Sequence, residues 1–236
     1  MTYLMAPLFL ALTLTLPAAA QQRPEGELRQ ARERMIQQLI VYGIQDSTTL
    51  AAMRAVPRHE FVPPEYREQA YDDNPLPIGH DQTISQPAIV ALMTELIAPR
   101  KGKRVLEVGT GSGYQAAVLA ETGCRVWSIE IFGALAKEAR ARLGRLGYSR
   151  VAIRHGDGYA GWPTEAPFDA ILITAAADSV PPVLVDQLAP GGRLVMPLGD
   201  PMGDQELIVI DKDVKGRFTS REILPVRFVP LLRGVR

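Results

Sequence analysis

The stretch Val105-Leu106-Glu107-Val108-Gly109-Thr110-Gly111-Ser112-Gly113-Tyr114 decides how the rest of this 236-residue chain is read. Residues 104–108 form a short, largely apolar run, the composition of a strand buried on both faces of a parallel sheet. Three glycines follow at alternate positions, and a helical pattern begins over 115–120. A strand that turns through glycines into a helix lets a ligand approach backbone N–H groups at a helix N-terminus. A dinucleotide turn, G-x-G-x-x-G, needs its third glycine at position 114, where Tyr114 stands instead. An acid, Glu107, lies two residues before the first glycine, so the pattern is E-x-G-x-G-x-G. At this point a glycine-rich turn without a ligand is the alternative.

Downstream, strands and helices alternate. Residues 125–129 read as a strand ending in Glu130, about 20 residues beyond the turn, where an acid meets a ribose hydroxyl pair in doubly wound nucleotide sites. A helix is expected over 133–146 and a strand over 151–154. Gly156-Asp157-Gly158 follows, a sharp turn whose acid can accept from an adenine amino group. Then come a strongly apolar strand over 168–174, a helix over 182–188 and a strand over 193–196 led in by Gly191-Gly192. Two closing strands are expected over 206–211 and 220–228. This order predicts an α/β fold: a doubly wound, mostly parallel sheet with an antiparallel edge.

Upstream the chain is helical. Met35, Ile36, Leu39 and Ile40 recur at helical spacing over 25–42, with Gly43 placed to end the helix. Asp46 or Ser47 caps a second short helix, which ends before Pro57. Residues 56–76 read as irregular and proline-rich. Residues 77–87 read as a loop leading into a helix with Ile89, Met93, Leu96 and Ile97 on one face. Two readings of Ser85 stay open: it caps that helix, or the loop carrying Thr83 and Ser85 lines the ligand cleft.

Lys+Arg and Asp+Glu both number 26, so no net field draws the chain to nucleic acid or an anionic membrane. The lone Cys124 offers neither a disulfide partner nor metal-ligand spacing and is expected to be a core thiol. Residues 4–16 form an apolar run too short to span a bilayer, followed by Pro17-Ala18-Ala19-Ala20, the form of a secretory signal and its cleavage site. Residues 1–20 are therefore set apart as signal-like, and 21–236 are expected to form one domain. Within it, 24–100 are the helical N-terminal part with the substrate loop, 101–200 the cofactor-binding core and 201–236 the closing strands.

The E-x-G-x-G-x-G turn resembles the first motif of Rossmann-like class I S-adenosylmethionine-dependent methyltransferases. On that reading Glu130 takes the ribose, Asp157 with Gly158 the adenine, and the backbone of Gly109, Thr110, Gly111 and Gly113 the methionine portion. Glu107 braces the turn or reaches the amino group through water. After the fourth strand stands Thr174-Ala175-Ala176-Ala177 rather than N/D-P-P-Y, which argues against planar amino acceptors; Val62-Pro63-Pro64-Glu65-Tyr66 precedes the first strand of the sheet and is read as loop. None of His59, His80 or His155 stands out as a base. A carboxylate acceptor, with a pKa near roughly 4, needs none. It needs orientation and hydrogen-bond donors, which Thr83 and Ser85 offer.

More specifically, Gly79-His80-Asp81-Gln82-Thr83-Ile84-Ser85-Gln86-Pro87, the glycine motif, Gly156-Asp157-Gly158-Tyr159, Pro190-Gly191-Gly192-Arg193-Leu194 and Val226-Arg227-Phe228-Val229-Pro230-Leu231 resemble the protein-L-isoaspartate O-methyltransferases. The resemblance implies methyl transfer from S-adenosyl-L-methionine to the free α-carboxylate of L-isoaspartyl residues in damaged proteins. The ester then closes to a succinimide that reopens partly to aspartate. It assigns the catalytic serine to Ser85 and cofactor contacts to the turn around Gly109, to Glu130 and to Asp157. A monomer without metal or nucleic acid is expected. The family and the supply of its cofactor imply the cytoplasm; the signal-like segment points instead to export. The family commonly has glycine where Asp81 stands, and a basic residue after the acid where this chain has Ile131-Phe132. Two other functions stay open: methylation of another carboxylate or small molecule, and a non-catalytic exported binder of damaged peptides.

Overall fold

Two helices open the described residues, 24–236 in this computed structural model: α1 (Glu25–Val41) and α2 (Ser47–Ala55). The signal-like residues 1–20 lie outside the described part. Met35, Ile36 and Leu39 are buried as their spacing predicts, whereas Ile40 lies 45% exposed, one position past the buried stripe. Gly43, at φ +96°, ends α1 in the left-handed region that favours glycine. Asp46 is the cap of α2, its carboxylate accepting from the Thr49 N–H at 2.7 Å.

The proline-rich stretch forms two 3-10 turns, Arg58–Glu60 and Pro64–Gln69. Arg58 is fully buried there. Its guanidinium donates to the Ala70 carbonyl at 2.8 Å and lies 4.9 Å from the centre of the Tyr114 ring, and burial lowers its pKa to about 10. The Tyr114 ring also meets Phe61 edge-on at 5.4 Å. The residue that replaces the third dinucleotide glycine therefore ties the N-terminal part to the core.

Residues 77–87, expected as loop, instead contain a hairpin: β1 (Leu76–Gly79) pairs antiparallel with β2 (Gln82–Ile84). Its tip is His80-Asp81, at φ +53° and +55°, the two-residue turn whose twist suits a hairpin. A glycine at 81, as in the family pattern, enters that conformation without strain. Asp81 itself is exposed. Helix α3 (Pro87–Leu96) follows, and Ser85 does not cap it. The Ala88 N–H donates instead to Asp73 Oδ1 at 2.8 Å, and Gln86 Nε2 to Asp73 Oδ2 at 3.2 Å. The cap comes from upstream, and the Ser85 hydroxyl is left for another purpose.

The core alternates as predicted: β3 (Arg104–Val108), α4 (Tyr114–Glu121), β4 (Arg125–Glu130), α5 (Gly133–Arg145), β5 (Ala152–His155), β6 (Phe168–Ile173), α6 (Pro182–Asp186), β7 (Leu188–Gly199), β8 (Gln205–Lys212) and β9 (Phe218–Val226). The seven strands lie in the order β5-β4-β3-β6-β7-β8-β9. Strands β5 to β7 run parallel, while β7–β8 and β8–β9 are antiparallel. The fold is thus α/β and doubly wound with an antiparallel edge. Strand β7 begins earlier than expected: it runs through Gly191-Gly192, pairing Leu188 with Phe168 across a register shift.

Successive side chains of β3 enter two cores. Val105 packs with the helices α1–α5, and Leu106 and Val108 pack with Trp127, Ile129, Ile171, Leu184 and Met196 on the other face. Cys124 is buried as expected. Strand order reverses between β3 and β6, and ligands of such sheets bind beyond the carboxyl ends of the strands at that switch point. Among the described residues no helix is long and apolar enough to cross a membrane.

Candidate functional site

The cleft at the switch point is built from five segments. They are the glycine turn (Gly109, Thr110, Gly111, Ser112), the end of β4 (Glu130, Ile131, Phe132), β2 with the residue after it (Thr83, Ser85), Gly158 with Thr174, and residues 229–232. Gly109 is required on two counts: φ is +103°, and a Cβ would collide with Thr174 Oγ1. That hydroxyl donates to the Val108 and Gly109 carbonyls and closes the turn against β6. Gly111, at φ +51°, turns its N–H onto Glu130 Oε2 at 2.7 Å. Gly113, at φ +87°, lies behind the cleft; a Cβ there would press on Leu143 and Ala139 of α5, so the third glycine serves helix packing.

Glu130 sits at the cleft with 3% of its surface exposed. Its other oxygen accepts from the Phe132 N–H at 3.0 Å. A carboxylate has about four acceptor positions, so two remain open. Asp157 accepts from the Tyr159 N–H at 2.8 Å and from the Gly234 N–H at 3.1 Å, while its neighbour Gly158 forms the cleft wall. Gly158 packs so closely on Val108 that a Cβ would strike it.

Glu107 lies beneath the turn, fully buried and outside the cleft lining. It faces the same side as Ser128, its register partner on β4, whose hydroxyl donates to Glu107 Oε2 at 2.5 Å. Ser128 Oγ in turn lies 2.5 Å from Thr110 Oγ1. Of the two roles expected for Glu107, the geometry matches bracing of the turn.

Several lining groups carry no local signal in the sequence. Residues 229–232 return over the strand ends: Leu231 N–H donates to the Ala176 carbonyl at 2.7 Å, and Ala176 N–H to the Val229 carbonyl at 2.8 Å. Phe132 stacks on His80 at 5.4 Å, joining the hairpin tip to the loop after β4. For the tail, the family resemblance over Val226 to Leu231 is the one pointer the sequence offers. His59 is buried and shares its Nδ1 with Tyr71 Oη at 2.7 Å; burial holds its pKa below the ordinary value, as befits a structural group. His155 is exposed and bonds the Ile131 and Arg236 carbonyls.

A second cavity adjoins the cleft, lined by Pro75, Gln86, Ile89 and residues 224–229. The two share Thr83, Ser85, Thr174 and Val229. Two adjoining cavities that share three hydroxyl-bearing residues, Thr83, Ser85 and Thr174, suit transfer of a group from one bound molecule to another. Residues 30–236 match the family model described as protein-L-isoaspartate(D-aspartate) O-methyltransferase. The chain belongs to this family.

Among relatives, the protein-L-isoaspartate O-methyltransferase of Opitutus terrae is 54% identical over 229 residues, covering 97% of this chain and 98% of that protein. A solved protein-L-isoaspartate O-methyltransferase superposes with a TM-score of 0.77 at 32% identity; 84% of this chain is covered, and the match spans 65% of that longer chain. A Plasmodium falciparum structure, provisionally described as a protein-L-isoaspartate O-methyltransferase and bound to S-adenosyl-L-homocysteine, gives a TM-score of 0.76 at 27% identity. It covers 86% of this chain and 99% of that one.

Proposed function

We infer that this chain uses S-adenosylmethionine to methylate the free α-carboxylate of L-isoaspartyl residues in damaged proteins and peptides, initiating their repair through a methyl ester and a succinimide. The observation that carries the reading is the meeting of the two cavities at Thr83 and Ser85, beside a glycine turn flanked by a strand-end acid. Bound S-adenosylmethionine supplies an electrophilic methyl group on a sulfonium, which an ionised carboxylate attacks without help from a base.

The protein then has three tasks. Glu130 offers its two open acceptor positions to the ribose hydroxyls while holding the turn through Gly111 N–H. The turn presents backbone along the methionine portion, and Gly158 lines the adenine end with residues 231 and 232, while Asp157 beside it holds the Tyr159 and Gly234 N–H groups. Ser85 and Thr83 donate to the acceptor carboxylate at the junction and orient it. We assign residues 21–236 to one catalytic domain acting as a monomer.

The test is a methyl-acceptor assay with labelled cofactor and one peptide made in two forms. The isoaspartyl form is expected to become labelled and the aspartyl form to stay unlabelled. Equal labelling of both would overturn the substrate assignment.

We also assign the reaction to the cytoplasm, because the cofactor is a cytoplasmic metabolite. N-terminal sequencing after fractionation of native cells checks this. A mature chain beginning at Gln21 in an exported fraction would overturn it.

A further inference from the structure

We propose that Glu107 is a positioning residue at the closed end of a hydroxyl relay, Glu107–Ser128–Thr110, whose direction decides whether the Thr110 hydroxyl offers its proton to the cofactor cleft. The inference rests on reading the cleft as the cofactor site. Three observations carry it. Glu107 is fully buried yet two hydrogen bonds from the cleft, since Thr110 lines it. Both links of the relay are 2.5 Å, at the short end of the O–H···O range, so the three groups form one continuous chain. The second oxygen, Glu107 Oε1, has no hydrogen-bond partner among the described residues.

Each hydroxyl carries one proton, so the relay has two directions. With Glu107 ionised, Ser128 donates to Glu107 and must accept the Thr110 proton; Thr110 then shows only lone pairs to the cleft. With Glu107 protonated on Oε2, it donates to Ser128, Ser128 donates to Thr110, and the Thr110 proton is free for an acceptor oxygen in the cleft. Passing from the first state to the second takes one proton from solvent onto Glu107 and rotates two hydroxyls.

The surroundings favour the protonated state. Ser128 and Leu172 flank Glu107 in register on the neighbouring strands, and the first turn of α4 holds no acid. Glu130, on the same face of β4 as Ser128, is the charged group acting on it, and it repels a second negative charge. Burial, with this repulsion, pushes the Glu107 carboxyl up to about 8 even against the Ser128 hydrogen bond. An ionised carboxylate with one empty oxygen is costly in such a site.

Calorimetry of S-adenosylhomocysteine binding from about pH 6.5 to 9.5, in buffers of different ionisation enthalpy, tests this. The proteins are wild type, Glu107→Gln and Ser128→Ala. The amide introduced by Glu107→Gln does not titrate, so that variant keeps one arrangement of the relay at every pH; Ser128→Ala has no relay. Wild-type affinity is expected to fall about tenfold more than that of either variant across this range, with proton uptake on binding near pH 8 greater in wild type than in either variant. The ligand's own amino group titrates identically in all three and cancels. Matching pH profiles and proton counts in wild type and Glu107→Gln would overturn the relay. If Glu107→Gln does not fold, the same comparison with Ser128→Ala decides. Failure of wild type to bind the ligand at any pH would instead remove the cofactor-site reading.

Discussion

Glu130→Ala is expected to weaken S-adenosylhomocysteine binding by about 3 kcal/mol, roughly 100-fold. Two losses add. The first is the charge-assisted pair of bonds to the ribose, worth about 1.5–3 kcal/mol. The second is the support of the turn, because the Gly111 and Phe132 N–H groups both end on this carboxylate and lose their acceptor. An unsatisfied buried donor costs about 1–3 kcal/mol, so the unliganded variant should also melt several degrees lower. Glu130→Gln separates the two losses. Its amide oxygen keeps one backbone bond, while the charge and half of the acceptor positions are gone. Unchanged affinity in the alanine variant, measured by calorimetry, would take Glu130 out of the binding site.

The second large effect is on turnover. Ser85→Ala should lower kcat/KM for an isoaspartyl peptide by about 10- to 150-fold, the value of a hydrogen bond to a charged substrate felt in the transition state, about 1.5–3 kcal/mol. A serine at a helix start usually invites a simpler account, loss of a cap worth about 0.5–2 kcal/mol of stability. Here that account fails at the start of α3. Asp73 supplies the cap, so Ser85→Ala should melt close to wild type and Asp73→Ala should melt lower. Cofactor affinity should change little in Ser85→Ala. A variant that melts early but turns over normally would return Ser85 to a structural role. Thr83→Val is the companion measurement, since Thr83 lines the same junction and is the other donor available there.

These two predictions draw on different kinds of information. The position of Glu130 was legible from spacing alone: an acid ending the strand after a glycine turn has few other places to be. Alternation along β4 then fixes its direction, because Ser128 and Glu130 alternate with Trp127 and Ile129, which enter the opposite core. The separation of Ser85 from its cap was not legible. It depends on Asp73, brought back to the helix start by the hairpin between them.

What the sequence determined by itself is what short-range physics determines: the strand at residues 104–108, the left-handed glycines that follow it, the alternation that makes a parallel sheet, and the acids at strand ends. Each depends on side-chain period or on backbone angles that only some residues adopt. The tertiary structure alone decided the rest. It folded residues 76–84 into a hairpin whose His80-Asp81 tip lacks the usual glycine and whose strands are too short to show a period. It carried residues 229–232 back across the strand ends, and it drew Phe132 under His80. It placed Glu107 beneath the cleft rather than in it, and ran Ser128 between that acid and Thr110. Those contacts join segments far apart in the chain, where no local pattern records them, and they are settled only when the two cores on either face of the sheet are packed.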